Sequence, residues 1–196
     1  MFLGTVRDPS TYLGAMPVQP PQDFVVGSVV AKRISGDDFD ELCEMHADPA
    51  VMATLGGVRD RAVTDRYLGR NLAHWRRFGF GIYGRRDRKT RRFVGRAGLR
   101  WASIDEVDEI EVAYALRSEA WGRGLASAIC KELVAISGAA QLATELVAFI
   151  QPSNQRSRRV MEKAGFVYER DFEHEATPCV LYRLSLSVAA DGTCSH

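Results

Sequence analysis

Closely spaced cysteines and histidines are missing from this chain. Its four cysteines (Cys43, Cys130, Cys179, Cys194) form no C-x-x-C, and its four histidines form no H-x-x-x-H. Such spacing points away from a structural zinc site or a disulfide framework and toward reduced thiols, so no metal is expected. An excess of either charge is missing too: 26 Lys and Arg face 25 Asp and Glu, a formal net charge of +1. That balance gives no global attraction to nucleic acid or to acidic membranes, and neither is an expected partner. The most apolar span, residues 133–150, contains Gly138, Gln141 and Glu145 and divides into helix end, turn and strand rather than a membrane crossing. The first ten residues lack the basic start and apolar block of a signal peptide, so a cytoplasmic location is expected. Two phosphate-binding patterns are also absent: no G-x-x-x-x-G-K-[ST] occurs, and no G-x-G-x-x-G follows the first strand.

What is present is an ordinary soluble composition, 46% hydrophobic and 26% charged over 196 residues, enough for one domain with a real core. Residues 1–22 carry four prolines and read as a loosely ordered arm; a domain is expected over 23–188 and a tail over 189–196. Residues 24–34 read as one strand. Phe39, Leu42, Cys43 and His46 then share a helix face behind the capping side chains of residues 35–38, and Asp48-Pro49 breaks that helix. After Gly56-Gly57, a second helix over 63–78 has Tyr67, Leu68, Asn71, Leu72 and Trp75 as its inner stripe. Strands over 80–84 and 93–101 flank a basic turn, residues 85–92, read as a solvated hairpin tip, with RNA or an acidic partner as the minority reading. Residues 103–108 form an acidic connection. Further on, the pattern gives a strand over 142–150, a helix through Val160, Met161 and Ala164 ended by Gly165, and closing strands over 167–172 and 179–187. The order is that of a mixed α/β layer structure.

The chain is organised around residues 111–137. An apolar run over 112–116 has the length of a buried strand, and Leu125, Ile129, Leu133 and Ile136 recur at the period of one helix face. Between them lies Trp121-Gly122-Arg123-Gly124-Leu125-Ala126. Taken alone, this turn has two readings. It is a tight cap on a packed helix, or it is a phosphate cradle, since glycines admit close backbone approach and the first helix amides lack partners.

Five stretches in order, HADPAVMATLGG (46–57), HWRRFGFGIYG (74–84), FVGRAGLR (93–100), the 111–137 segment and NQRSRRVMEKAGF (154–166), make residues 24–187 resemble the GNAT superfamily of acetyl-CoA-dependent N-acetyltransferases. Within it, they resemble the branch that acetylates ribosomal-protein N termini. The resemblance implies a mixed, mostly antiparallel central sheet of about seven strands flanked by about four helices. It implies acetyl-CoA as acyl donor and a primary amine, on a protein N terminus or a small molecule, as acceptor.

The family's pyrophosphate loop, Gln/Arg-x-x-Gly-x-Gly/Ala, falls on Trp121 to Ala126: Gly124 and Ala126 match, and Trp121 replaces the usual Gln or Arg. The implied cofactor contacts are Ala115, Leu116 and Arg117 by main chain, then Trp121, Gly122, Arg123, Gly124, Leu125 and Ala126, then Asn154 and Ser157. As an alternative, Asn154 is a reasonable helix cap. The implied general base is Glu111, with Glu109 facing the same way by alternation. The tyrosine by which many members protonate the leaving thiolate is Met161 here, which makes Ser157 the nominated hydroxyl and leaves Tyr114 and Tyr182 as cleft candidates. A catalytically weak acyl-CoA sensor is the competing reading, and a homodimer is open, since relatives often dimerise.

Overall fold

The computed structural model describes residues 18–186, which form one eight-stranded sheet in the order β1-β2-β3-β4-β5-β6-β8-β7. The strands are β1 (Asp23–Val26), β2 (Val29–Arg33), β3 (Ile82–Asp87), β4 (Phe93–Ile104), β5 (Val107–Leu116), β6 (Glu145–Ile150), β7 (Val167–His174) and β8 (Thr177–Ser185). Five helices accompany them: α1 (Phe39–Ala47), α2 (Pro49–Met52), α3 (Arg61–Phe78), α4 (Leu125–Ala139) and α5 (Gln155–Lys163). All pairings are antiparallel except β5 with β6. The expected mixed, mostly antiparallel architecture is therefore present, with one strand more than the sequence reading counted.

The extra strand comes from the span read as continuous over 24–34. It folds back at a two-residue turn in which Gly27 takes φ +56, a conformation that suits the first central position of a tight hairpin. The span read as an acidic connection is also a hairpin, because Asp105 and Glu106 both adopt positive φ (48 and 68), as a type I′ turn requires. Glu175 and Ala176 repeat this device between β7 and β8.

The helices follow the apolar period closely. In α3, Tyr67, Leu68, Asn71 and Trp75 are buried, and Asp60 caps the helix by accepting from Val63 N at 2.7 Å. Trp75 is only 2% exposed; its Nε1 donates to Ile82 O at 2.7 Å, and its ring meets Tyr83 edge-on. In α4, Ile129 and Leu133 are fully buried, each contributing roughly 1.5–3 kcal/mol by removal from water. This helix packs on β1, β4, β5 and α5, which fixes the position of its N-terminal end.

The basic stretch over 85–92 is corrected by the structure. β3 continues through Asp87, so Arg85 and Arg86 belong to the sheet and only residues 88–92 make the turn. Arg85 is fully buried, its guanidinium 4.8 Å from the Phe24 ring and 5.3 Å from the Tyr83 ring, and burial lowers its pKa to about 10. Arg86 is held by Asp38 and Glu41, both at 2.7 Å. The charge count of the stretch thus overstated the cations offered to solvent. Residues 18–22, assigned to the arm, are tied in at two points, where the Tyr83 hydroxyl donates to Pro21 O at 2.9 Å and the Arg33 amide donates to Gln22 O at 2.8 Å. The rest of the arm and the 189–196 tail lie outside the described residues.

Candidate active site

β5 pairs with β4 along its whole length but meets β6 at a single register point, Glu111 opposite Val147. Beyond Glu111 the two parallel strands part, leaving the outer edge of β5 without a strand partner among the described residues. A cavity of about 830 Å³ opens there. Consecutive residues 111–114 of β5 and 148–150 of β6 all line it, whereas a sheet face would present only alternate residues. The cavity is therefore a cleft between strands.

Glu111, Asn154 and Ser157, predicted from distant parts of the sequence, share this cleft. Glu111 is 5% exposed, and its Oε2 accepts from Arg100 Nε at 2.6 Å across the β4–β5 register pair. The nearby carboxylate raises the pKa of Arg100 above the ordinary arginine value. Glu109, two residues earlier, is committed elsewhere, paired with Arg183. Opposite Glu111, Asn154 caps α5: its Oδ1 accepts from Ser157 N at 3.0 Å, and its Nδ2 donates to Thr54 Oγ1 at 2.7 Å. The helix-cap role is thus realised, and the same bonds clamp the loop after α2 onto the start of α5.

The Tyr114 hydroxyl donates to Ser157 Oγ at 2.9 Å. Burial raises its pKa above that of free tyrosine, opposed by the bond to Ser157, so Tyr114 keeps its proton at neutral pH. With one acceptor position of Ser157 taken by Tyr114, the serine's own O–H is free to donate into the cleft. Met161, where the family resemblance implies a tyrosine, is 1% exposed and lines the same cleft. Tyr182 is corrected: it is buried, accepts from Arg158 Nε and donates to Glu162 Oε1, both at 3.0 Å, and does not reach the cleft.

The glycine turn stands apart from the cleft, past the end of β5. Gly122 and Gly124 have φ of 73 and 72, left-handed conformations that glycine adopts without penalty. The first backbone bond at this end of α4 is Ala128 N to Gly124 O at 3.1 Å, so the amides of Leu125, Ala126 and Ser127 project from the helix start. Trp121 folds back: its Nε1 donates to Leu116 O at 2.9 Å, while the Arg156 guanidinium lies 5.2 Å from its ring centroid. Arg123 lines a second cavity of about 680 Å³ together with Asp87, Arg92 and Arg117. Ala115 and Leu116 are buried on β5 between cleft and turn, with their partners on β4.

The sequence reading missed the arginines of the cleft. Arg59 and Arg96 both lie against Tyr67, their guanidinium carbons 5.5 and 4.6 Å from its ring centroid. Arg96 is 5% exposed, and burial lowers the pKa of both arginines. Behind them His46 is fully buried; burial first, then Arg96 and Arg59, push its pKa down to about 3, so it is neutral at pH 7. One signal was available: Arg96 and Arg100 lie four apart in a strand, on one face with Gly98 between them.

Comparison with known proteins gives a consistent result. The family profile described as "Acetyltransferase (GNAT) domain" matches residues 29–167. An acetyltransferase structure from Agrobacterium tumefaciens str. C58 aligns with a TM-score of 0.73 at 20% identity, covering 91% of this chain and 99% of that one. RimL, a ribosomal L7/L12 alpha-N-protein acetyltransferase in complex with coenzyme A, aligns at 0.71 and 14% identity, covering 85% and 99%. The aminoglycoside acetyltransferase AAC(6')-Ib, also in complex with coenzyme A, aligns at 0.67 and 21% identity, covering 81% and 95%. At these identities the likeness is one of fold.

Proposed function

Since the chain belongs to the GNAT acetyltransferase family, we propose that it transfers an acetyl group from acetyl-CoA to a primary amine by direct attack within a ternary complex. The observation that carries this reading is the parting of β5 from β6 beyond Glu111, which opens a cleft between a buried carboxylate and a paired hydroxyl. Acetyl-CoA supplies a thioester carbonyl and a good leaving group, with a thiol pKa of about 8.5.

The chain's residues divide the remaining work. The projecting amides of Leu125, Ala126 and Ser127 suit the pyrophosphate, with Arg123 and Arg156 adding positive charge beside them. The outer edge of β5 beyond Glu111, running toward Ala115 and Leu116, offers backbone groups to the amide-bearing arm of the cofactor, although the Leu116 carbonyl is already taken by Trp121 Nε1. Glu111 takes the proton that the attacking amine must lose. Ser157 donates to the departing sulfur, with Tyr114 behind it supplying a second hydroxyl proton. Holding both substrates in near-attack geometry contributes alongside these groups and needs no particular side chain. Met161 favours the second reading, a non-catalytic acyl-CoA sensor; the Glu111 carboxylate and the Tyr114–Ser157 pair in one cleft favour turnover.

Cys43, Cys130 and Cys179 are buried and unpaired, which fits a reducing cytoplasm, and no helix among the described residues is long and apolar enough to cross a membrane. Binding of the donor is tested by melting the protein with and without coenzyme A. Ligand at 100 times its dissociation constant adds roughly 2.7 kcal/mol, a rise of about 5–10 °C for a domain of this size. An unchanged melting temperature at millimolar coenzyme A would refute the reading.

A further inference from the structure

From the charges of the cleft, and resting on the acetyltransferase reading above, we infer that the acceptor is a small amine bearing a carboxylate, whose carboxylate docks against Arg96 and Arg59 while its amine faces Glu111. Arg96 carries the inference. It is 5% exposed and lines the cleft, its Nε is buried without a partner, and among the described residues no acid pairs with it. Arg59 lines the same cleft, its guanidinium carbon 5.5 Å from the same Tyr67 ring centroid; among the described residues the one hydrogen bond of its side chain is to a carbonyl, Leu55 O at 3.0 Å. A cation taken out of water without a counter-ion is strongly unfavourable and is relieved when a ligand brings the opposite charge.

The cleft cannot neutralise itself. Among the described residues its one buried acid, Glu111, is already engaged by Arg100, and the others lining it, Asp105, Glu173 and Glu175, are exposed. A planar guanidinium matches a carboxylate through two parallel hydrogen bonds, and two such groups against one aromatic ring in the same cleft make a receptor for one anion. Placement along the sheet sets the size of the ligand. Glu111 lies opposite Arg100, four residues from Arg96 on β4, about 13 Å between Cα atoms at a strand rise of about 3.3 Å per residue, and the long arginine side chains can shorten the gap. A cleft of about 830 Å³ that must also admit the end of the donor leaves room for an amino-acid-sized acceptor.

The test is calorimetric titration of the protein, both free and loaded with coenzyme A, with N-acetylated amino acids and their matched C-terminal amides as product-like probes. At least one acid is expected to bind tenfold or more tightly than its amide. Arg96→Met and Arg59→Gln should each abolish that preference, while coenzyme A binds them as it binds wild type. Arg96→Met, which removes an unpaired buried charge at nearly constant volume, should melt no lower than wild type, separating loss of binding from loss of fold. Arg59→Gln, at a half-buried site, provides an independent readout. The inference falls if no acid outbinds its amide, if both variants keep the preference, or if Arg96→Met weakens coenzyme A instead, which would assign the arginine to the donor. Absence of coenzyme A binding would refute the acetyltransferase reading alone, because the acid-versus-amide comparison is still read on the free protein.

Discussion

Replacing Glu111 with glutamine is expected to lower turnover about 10²–10⁴-fold while leaving coenzyme A affinity unchanged. The substitution is nearly isosteric and keeps an oxygen to accept from Arg100 Nε, so the β4–β5 contact survives. What disappears is the basic oxygen. An amine that arrives protonated at neutral pH then has no group in the cleft's interior to take its proton. Neither Glu109, engaged by Arg183, nor the exposed acids lining the cleft stand in the same place. Steady-state rates at saturating acetyl-CoA, paired with a coenzyme A titration of the variant, separate the two effects. A loss below about threefold would remove Glu111 as the base. A parallel loss of coenzyme A binding would instead give it a structural role.

A methyl group at Gly98 should be nearly as damaging, through the fold rather than the chemistry. A Cβ there would lie 2.2 Å from Gly81 O and 2.6 Å from Ile82 Cα, both backbone atoms of the neighbouring chain segment. No rotamer change relieves such a contact, so β3 and β4 must separate where β4 carries Arg96 and Arg100 into the cleft. Gly98→Ala is expected to destabilise by about 3 kcal/mol or more, a fall in melting temperature of roughly 6–12 °C. Gly138→Ala is the control, since an exposed helical position with nothing within 4 Å of a new Cβ should gain about 0.5–1 kcal/mol. If both variants melt alike, the close approach at Gly98 does not govern the sheet.

The legible parts of this fold were those in which neighbours in sequence are neighbours in space. The buried stripe of α3 and the inner face of α4 follow the helical period, and the glycine turn before α4 was visible because its conformation depends on local residues. Arg85 was misjudged for a physical reason. Composition marks an arginine as exposed, and only the pairing of β3 with β2 and β4 puts it inside, stacked on Phe24 and Tyr83. The one-strand reading of residues 24–34 failed similarly, because Gly27 sits within an apolar run and turning there is decided by what β2 pairs with.

The site was legible in its members more than in its connections. Glu111, Asn154 and Ser157 were named from motif positions, and the structure brings them into one cleft. Their partners were hidden by chain distance: Thr54 and Asn154 are 100 residues apart, and Tyr114 and Ser157 are 43 apart. The arginine pair against Tyr67 draws on the loop after α2, on α3 and on β4, and no local pattern announces that these segments converge. The opening of β5 from β6 belongs to the same class, since loss of pairing beyond Glu111 is a property of two strands together.

The central claim is amine-dependent acetyl transfer. It is tested most directly by incubating the full chain with acetyl-CoA and a mixed library of amines and peptides, following free thiol and acetylated products together by mass spectrometry. The prediction is thiol release that requires an amine and matches acetylated amine mole for mole. Thiol release that never exceeds the amine-free rate, with no acetylated product from any member of the library, would contradict it.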